Sequence, residues 1–176
     1  AKLRFKRLGL FYLIALGCIA LSIVVSQILI QTSINRQQDD AHVINVAGRQ
    51  RMLSQKISKL ALKIEHQKGE RLQNIIALKE ALALWKQSHE GLQFGDVELG
   101  LSGANSSIIM EMFETISPHY EAIYQNAQDL LSLPPDHDDS TALLRADYVS
   151  TILAHESTFL EGMDKIVFQY DEEAQK

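Results

Sequence analysis

The segment Val43–Ile64, with the sequence VINVAGRQRMLSQKISKLALKI, decides the fold because its apolar residues recur every three or four positions. That spacing places them on one face of an α-helix, whereas a strand would alternate with a period of two. Three later segments repeat the spacing, and no segment alternates over the length of a strand. The four faces consist of Val43, Val46, Gln50, Leu53, Ile57, Leu60 and Ile64; Ile75, Leu78, Leu82, Trp85, His89 and Leu92; Ile109, Phe113, Ile116, Tyr120, Ile123, Ala127 and Leu130; and Tyr148, Ile152, His155, Phe159, Ile166 and Tyr170. The sequence therefore predicts an all-α, antiparallel, up-down four-helix bundle.

The connections between these segments agree with a bundle. The first two helices meet at Gly69, a short connection that is typical of antiparallel neighbours. Clustered glycines predict one long loop over Gly91–Gly103, and Asn105–Ser107 offers side-chain oxygens that cap the third helix. Pro134–Ser140 separates the third helix from the fourth, and Pro118 is expected to bend the third helix or to begin its main part.

Upstream of the bundle, residues from Leu8 to Asn35 include no charged side chain, and Leu10–Ile30 is mostly aliphatic. About 20 apolar residues cross a bilayer as a helix. A buried soluble helix rarely runs so long without charge, and a cleaved signal peptide has a shorter apolar core. The basic residues before this run are Lys2, Arg4, Lys6 and Arg7. By the positive-inside rule we expect a cytoplasmic basic flank and an uncleaved transmembrane helix over residues 1–33, continuing into an extracytoplasmic bundle over residues 34–176.

Charge and cysteine content exclude several classes of function. The chain of 176 residues has 17 basic and 22 acidic residues, a net charge of −5, and the part after Arg7 carries −9. Nucleic acid is not an expected partner, because its backbone requires a basic surface. The single cysteine, Cys18, excludes a disulfide framework and a thiolate metal site.

No combination of residues predicts catalysis, a metal site or a cofactor. None of the six histidines forms an H-x-x-x-H pair, no glycine-rich loop follows a strand, and the serines lack the context of a nucleophile. His89 and His155 lie on apolar faces, where we expect buried imidazoles with hydrogen bonds across the bundle. We therefore expect no enzyme activity in this chain, with any catalytic output module outside it.

The most informative segment is Ile44–Gln55, at the start of the first outer helix. Gly48 costs a helix about 1 kcal/mol relative to alanine, and the usual compensation is close approach of another backbone. The residues that share a helical face with Arg51 are Ile44, Ala47, Gly48 and Ser54. If two copies of this face meet across a two-fold axis, their arginines converge and require an anion between them. The alternative, equally open from spacing alone, is that Arg49 and Arg51 extend to solvent or lipid headgroups. The candidate ligand-binding residues are Asn45, Ala47, Gly48, Arg49, Gln50, Arg51 and Ser54.

This segment also carries a resemblance. Ile44-Asn45-x-Ala47-Gly48-x-x-Arg51-Met52-x-Ser54 resembles the signature of the periplasmic sensor domains of bacterial nitrate/nitrite sensor kinases. The fuller string NVAGRQRMLSQ is more similar to the related PilJ-type domain, named from type IV pilus chemotaxis transducers. Three other segments extend the similarity to that domain over roughly residues 34–176, namely Trp85–Leu92, Gly95–Leu101 and Met163–Tyr170.

The resemblance implies a periplasmic four-helix sensor bundle that forms a homodimer through its first outer helix. In the nitrate sensors, the arginine matching Arg51 binds the anion at the dimer axis, helped by backbone near the glycine matching Gly48. A guanidinium suits a planar oxyanion because its donors are parallel. This chain departs from the nitrate sensors at Val46, where they have lysine, and at Arg49 and Gln50. The resemblance therefore implies a small anion without fixing nitrate.

Together these features predict the periplasmic input domain of a bacterial inner-membrane receptor, with one or two membrane passes. A small ligand such as nitrate or nitrite would shift the first and last helices by about 1–2 Å and signal to a cytoplasmic module. That module stays open between a histidine kinase, a chemotaxis transducer and a cyclic-nucleotide enzyme. The alternative is a ligand-free structural bundle that binds a pilus or envelope protein. A ligand site requires a polar cavity at Gly48–Ser54, whereas a scaffold requires a filled, dry seam there.

Overall fold

The computed structural model describes residues 2–134 and 139–175, and these fold as four α-helices. The helices are α1, Lys2–His66; α2, Arg71–Phe94; α3, Ser107–Ser132; and α4, Asp139–Ala174, with a 3₁₀ turn at Lys68–Glu70. Over the same residues there is no β-strand, and one isolated antiparallel bridge joins Asp96 to Leu101. The predicted all-α fold is confirmed.

The chain divides into two compact units, the first ending at Ala41 and the second starting at His42. In the first unit, the side chains from Leu10 to Ile30 are exposed rather than buried in protein. A continuous apolar surface of this kind is unfavourable in water. Among the described residues, α1 alone is long and apolar enough to cross a membrane, with a mean hydropathy of 2.6 over its most apolar 18 residues. By length and composition it is a candidate transmembrane helix.

The second unit is a bundle with one hydrophobic core to which all four helices contribute. α3 packs most extensively against α4, and α2 packs against α3. Residue numbers rise along one helix as they fall along its neighbour, so α2, α3 and α4 are antiparallel in turn. The contacts that show this are Trp85 with Tyr120 and His89 with Phe113, then Ile116 with Gly162 and His119 with His155. Every residue of the four predicted apolar faces is buried or half-buried.

A cluster of aromatic rings joins α2, α3 and α4. Trp85 is fully buried, and its ring centroid lies 4.5 Å from that of Tyr120 and 5.1 Å from that of Phe159. His89 stacks on Tyr120 with a centroid separation of 3.8 Å and an interplanar angle of 11°. Burial lowers the pKa of His89 to about 3, so its imidazole is neutral at physiological pH. The core of the bundle therefore holds an uncharged histidine as an aromatic packing residue.

The expected hydrogen bonds of the two histidines have different outcomes. Nδ1 of His155 lies 3.0 Å from Nδ1 of His119, a bond that joins α4 to α3 as predicted. Nδ1 of His89 is buried and has no hydrogen-bond partner among the described residues, so the prediction is wrong for that atom. Ring stacking rather than hydrogen bonding positions this side chain.

The loop after α2 begins later than the sequence predicted. The glycine cluster predicts that the loop begins at Gly91, but α2 continues to Phe94. The loop turns back onto the last turn of the helix, and a Cβ at Gly91 would lie 2.9 Å from Cβ of Asp96. Gly91 is therefore required by packing within the helix rather than by a turn. Gly95, with φ of 90°, is the first residue with the left-handed conformation that glycine favours.

The start of α3 agrees with the prediction. Ser106 is the N-cap, and its Oγ accepts a hydrogen bond from the backbone N–H of Ile109 at 3.2 Å. Pro118 lies inside α3, which continues through it. Of the predicted connection before α4, residues 135–138 lie outside the described residues.

Candidate functional site

The candidate motif lies in α1, and its side chains divide between two faces. The inner residues, each with 0 % exposure, are Ala47, Gln50 and Ser54. The outer residues are Asn45, Arg49 and Arg51, which are exposed, and Gly48, which is half-exposed. The structure therefore does not bring the seven predicted residues together on one surface of the chain.

Arg51 lies at the boundary between these two faces. Helical geometry places Ala47 and Ser54 on one side of it and Gly48 on the other, about 40–60° away in each case. The edge of the buried core therefore runs through the predicted group, with Ala47 and Ser54 buried and Gly48 half-exposed. Ser54 Oγ donates a hydrogen bond to the backbone carbonyl of Arg51 at 2.9 Å. The backbone of Arg51 therefore lies in a packed turn of the helix, and its side chain extends into solvent.

The inner face is packed but contains one polar side chain without a partner. Neither Oε1 nor Nε2 of Gln50 has a hydrogen-bond partner among the described residues, although both atoms are buried. A buried polar group left unpaired costs about 1–3 kcal/mol. Gln50 occupies a position of the apolar face where Leu or Ile would be favourable, so its amide weakens this part of the core.

The outer face is open at Gly48. A Cβ placed there would meet nothing within 4 Å outside the adjoining backbone of its own helix. Close approach of another segment of this chain is therefore not the reason for a glycine at this position. Arg49 projects from the same turn and forms no ion pair with the residues that the structure describes.

Arg51 is paired with a residue that sequence reasoning missed. Its Nη1 lies 2.6 Å from Oδ1 of Asp164 in α4, and the two side chains are 44 % and 39 % exposed. An ion pair this exposed contributes about 0–1 kcal/mol to folding. Spacing along the sequence gives no signal for a pair between α1 and α4. Periodicity shows which residues share a face of one helix, but it does not show which other helix packs against that face. The pair joins the first helix of the bundle to the last.

A separate concavity of about 180 Å³ lies between α3 and α4. Its walls include Ile116 and His119 from α3 and Gly162 and Lys165 from α4. No residue of the Asn45–Gln55 motif lines it, so it does not extend the candidate site.

A helical bundle that carries a basic, glycine-containing motif and follows a candidate transmembrane helix is compatible with the class of membrane-attached helical domains. The family model for the N-terminal domain of type IV pili methyl-accepting chemotaxis transducers, PilJ, matches residues 33–146, and the chain belongs to this family. The match confirms the resemblance found in NVAGRQRMLSQ and indicates a sensory domain of the chemotaxis-transducer type rather than a catalytic one. It ends within α4, before Met163–Tyr170. No curated protein and no solved structure matches the chain.

Proposed function

We propose that this chain is the periplasmic input domain of a bacterial inner-membrane receptor and that it binds a small anion, such as nitrate or nitrite, between two copies of α1. Residues 1–33 form the cytoplasmic flank and the membrane anchor, and the bundle follows from residue 34. The observation that carries the proposal is the open turn of α1 in which Gly48 lies beside two exposed arginines, Arg49 and Arg51. Membership of the PilJ family supports the sensory role.

The geometry of the outer face suits contact with a second copy. Without a side chain at Gly48, two α1 backbones can approach closely across a two-fold axis, which brings Arg51 of each copy toward the axis. A guanidinium offers two parallel N–H donors to a planar oxyanion, and the anion offsets the repulsion between the two cations. Asn45 is exposed about 60° from Gly48 around the helix and can supply a further donor, whereas Arg49, about 160° from Arg51, adds positive charge to this turn without facing the same point.

Signalling follows if the anion binds one packing of the dimer more tightly than another. Differential affinity for two arrangements shifts their populations, and helices at such interfaces move by about 1–2 Å. Because α1 includes the candidate transmembrane helix, a displacement of α1 reaches a cytoplasmic signalling module.

The test is titration of the full chain in lipid nanodiscs with sodium nitrate and sodium nitrite, monitored by calorimetry at constant ionic strength. We expect saturable binding that Arg51→Ala abolishes and Arg51→Lys weakens, because lysine retains the charge but lacks the fork. Lys79→Ala, which removes an exposed cation from α2, is the matched control and should bind as the unaltered chain does. Absence of saturable binding, or binding that survives Arg51→Ala, contradicts the proposal.

Dimerisation through α1 has a separate test. With Cys18 replaced by serine, Asn45→Cys should form an intermolecular disulfide under mild oxidation, because Asn45 lies on the outer face beside Gly48. Lys79→Cys on α2 is the control and should remain uncrosslinked. Equal crosslinking of the two variants contradicts an α1 interface.

A second candidate is a structural bundle that binds a pilus or envelope protein. It is favoured by the complete burial of Ala47 and Ser54, which leaves no room for a ligand on the inner face of the motif. This candidate predicts a folded chain with no anion binding in the titration above.

A further inference from the structure

The ion pair of Arg51 restricts how a ligand can reach this arginine. Asp164 Oδ1 lies 2.6 Å from Nη1, so a carboxylate already accepts from the guanidinium that the proposed anion would use. A carboxylate and a small planar oxyanion present similar acceptors to the same donor edge. Both cannot occupy one edge at the same time. Arg49, on the outer face nearby, has no such partner among the described residues.

We propose that Asp164 is the internal counter-ion of the anion site and that the ligand binds by replacing its carboxylate on Arg51. This inference rests on the proposed anion site. In the absence of ligand, Asp164 neutralises Arg51 within each chain. In the presence of ligand, the guanidinium exchanges one acceptor for another, and Asp164 returns to solvent.

The internal counter-ion resolves an electrostatic difficulty of the dimer. Two uncompensated arginines close to a two-fold axis repel each other, which would make assembly depend on the anion. With Asp164 beside each Arg51, the unliganded dimer is close to neutral at this point. Assembly and ligand binding are then separate events, so ligand changes the packing of an existing dimer rather than creating one.

The exchange also connects ligand binding to α4. Asp164 belongs to α4 and Arg51 to α1, so replacement of the carboxylate removes a direct link between the first and last helices of the bundle. The partial exposure of both side chains means that the link is weak and that a small ligand can compete with it. Asp164 therefore sets the concentration at which the receptor responds.

The test is nitrate titration of the full chain in nanodiscs, comparing the unaltered protein with Asp164→Asn. Asp164→Asn removes one carboxylate from each copy of the dimer. For each of these the dissociation constant for nitrate should fall about two- to fivefold, because an exposed ion pair of about 0–1 kcal/mol no longer competes. Asp147→Asn is the matched control, since it removes an exposed carboxylate from the same helix that has no ion pair among the described residues. Asp164→Glu, which retains a carboxylate, should leave the affinity close to that of the unaltered chain.

The outcomes separate the two proposals. Equal affinity of the unaltered chain and Asp164→Asn, with binding still lost in Arg51→Ala, overturns the counter-ion role and leaves the anion site intact. Equal gains in Asp164→Asn and Asp147→Asn also overturn it, because they indicate a general effect of net charge. Tighter binding of nitrate by Asp164→Asn than by the unaltered chain and Asp147→Asn, lost again when Arg51→Ala is added, supports both proposals. Absence of binding in every variant, or binding that Arg51→Ala does not alter, overturns the anion site and with it the counter-ion.

Discussion

Gly162 and Gly48 are both glycines in the interior of helices, but their surroundings are opposite. A Cβ at Gly162 of α4 would overlap Cγ2 of Ile116 in α3, so the close approach of these helices depends on the missing side chain. A Cβ at Gly48 of α1 would meet nothing within 4 Å beyond its own helix. Packing within the chain explains the first glycine and gives no reason for the second. The α3–α4 seam is filled by side chains of this chain, whereas the outer face of α1 is open at Gly48.

This difference separates two kinds of residue in one bundle. Around the α3–α4 seam and the aromatic cluster, side chains are fixed by neighbours that the chain itself supplies. On the outer turn of α1, Gly48 faces open space, Arg49 has no ion pair among the described residues, and Arg51 has one partly exposed ion pair with Asp164. Substitutions in the first region should change the stability of the bundle. Substitutions in the second should change what the bundle binds.

The largest effect on the packed side is expected from acidification, through His89. Its pKa falls from 6.5 to about 3 on folding because the imidazole is buried. Below pH 6.5 the unfolded chain takes up a proton that the folded chain does not, so stability decreases as the pH falls from 6.5 towards 3. By pH 4 this histidine alone should lower the free energy of unfolding by about 3 kcal/mol. Denaturant unfolding at a series of pH values, followed by fluorescence of the single tryptophan, Trp85, measures it.

The assignment to His89 is checked with a substitution. His89→Phe keeps a ring against Tyr120 and should remove most of the loss between pH 6.5 and 4. The control is His66→Gln, which alters an exposed histidine at the end of α1 and should retain the full pH dependence. Parallel pH profiles for His89→Phe and the unaltered chain would show that another group is responsible.

The next largest effect should come from Gly162→Ala. A methyl group at this position forces Ile116 or the helix backbones to move, and overpacking of this kind costs about 1–3 kcal/mol. The intrinsic helix preference of alanine offsets part of that loss. Unfolding of Gly162→Ala alone and combined with Ile116→Ala measures the coupling, and the double variant should lose less than the sum of the single losses. A stabilised Gly162→Ala would mean that the seam is looser than the structure indicates.

The apolar faces of the bundle could be predicted because their 3-4 spacing is a property of each helix alone. The N-cap at Ser106 could be predicted for the same reason, since a cap depends on local residues. Gly91 was misplaced because its environment consists of loop side chains that fold back onto α2. The Arg51–Asp164 pair was missed on the same principle, because a contact between α1 and α4 depends on which helices become neighbours. Local sequence signals therefore predict where a helix lies and which of its residues share a face, whereas contacts between helices can be read only from the folded structure.

A moderate gain in stability is expected from Gln50→Leu, on the buried face of the same motif turn. Both polar atoms of Gln50 are buried without partners among the described residues, and leucine removes that cost. We expect the free energy of unfolding to rise by about 1–2 kcal/mol. Nitrate affinity should be unchanged, because Gln50 points away from the outer face. A destabilised Gln50→Leu would show that the amide is satisfied in solution, and a large change in affinity would move the site to the inner face.

The smallest effect on stability, and the most informative, is expected from Gly48→Ala. The added methyl group has open space, and alanine is favoured over glycine in a helix by about 1 kcal/mol, so a bundle without α1 contacts between copies should become more stable by that amount. If two α1 helices pack at this turn, the methyl group separates them, and dimerisation and nitrate binding should weaken while the single copy gains stability. Sedimentation in detergent and nitrate titration measure these two properties beside denaturant unfolding. A gain in stability with unchanged dimerisation and affinity would place the interface elsewhere. A gain in stability together with weaker dimerisation and weaker nitrate binding is the result that only a partner at Gly48 explains.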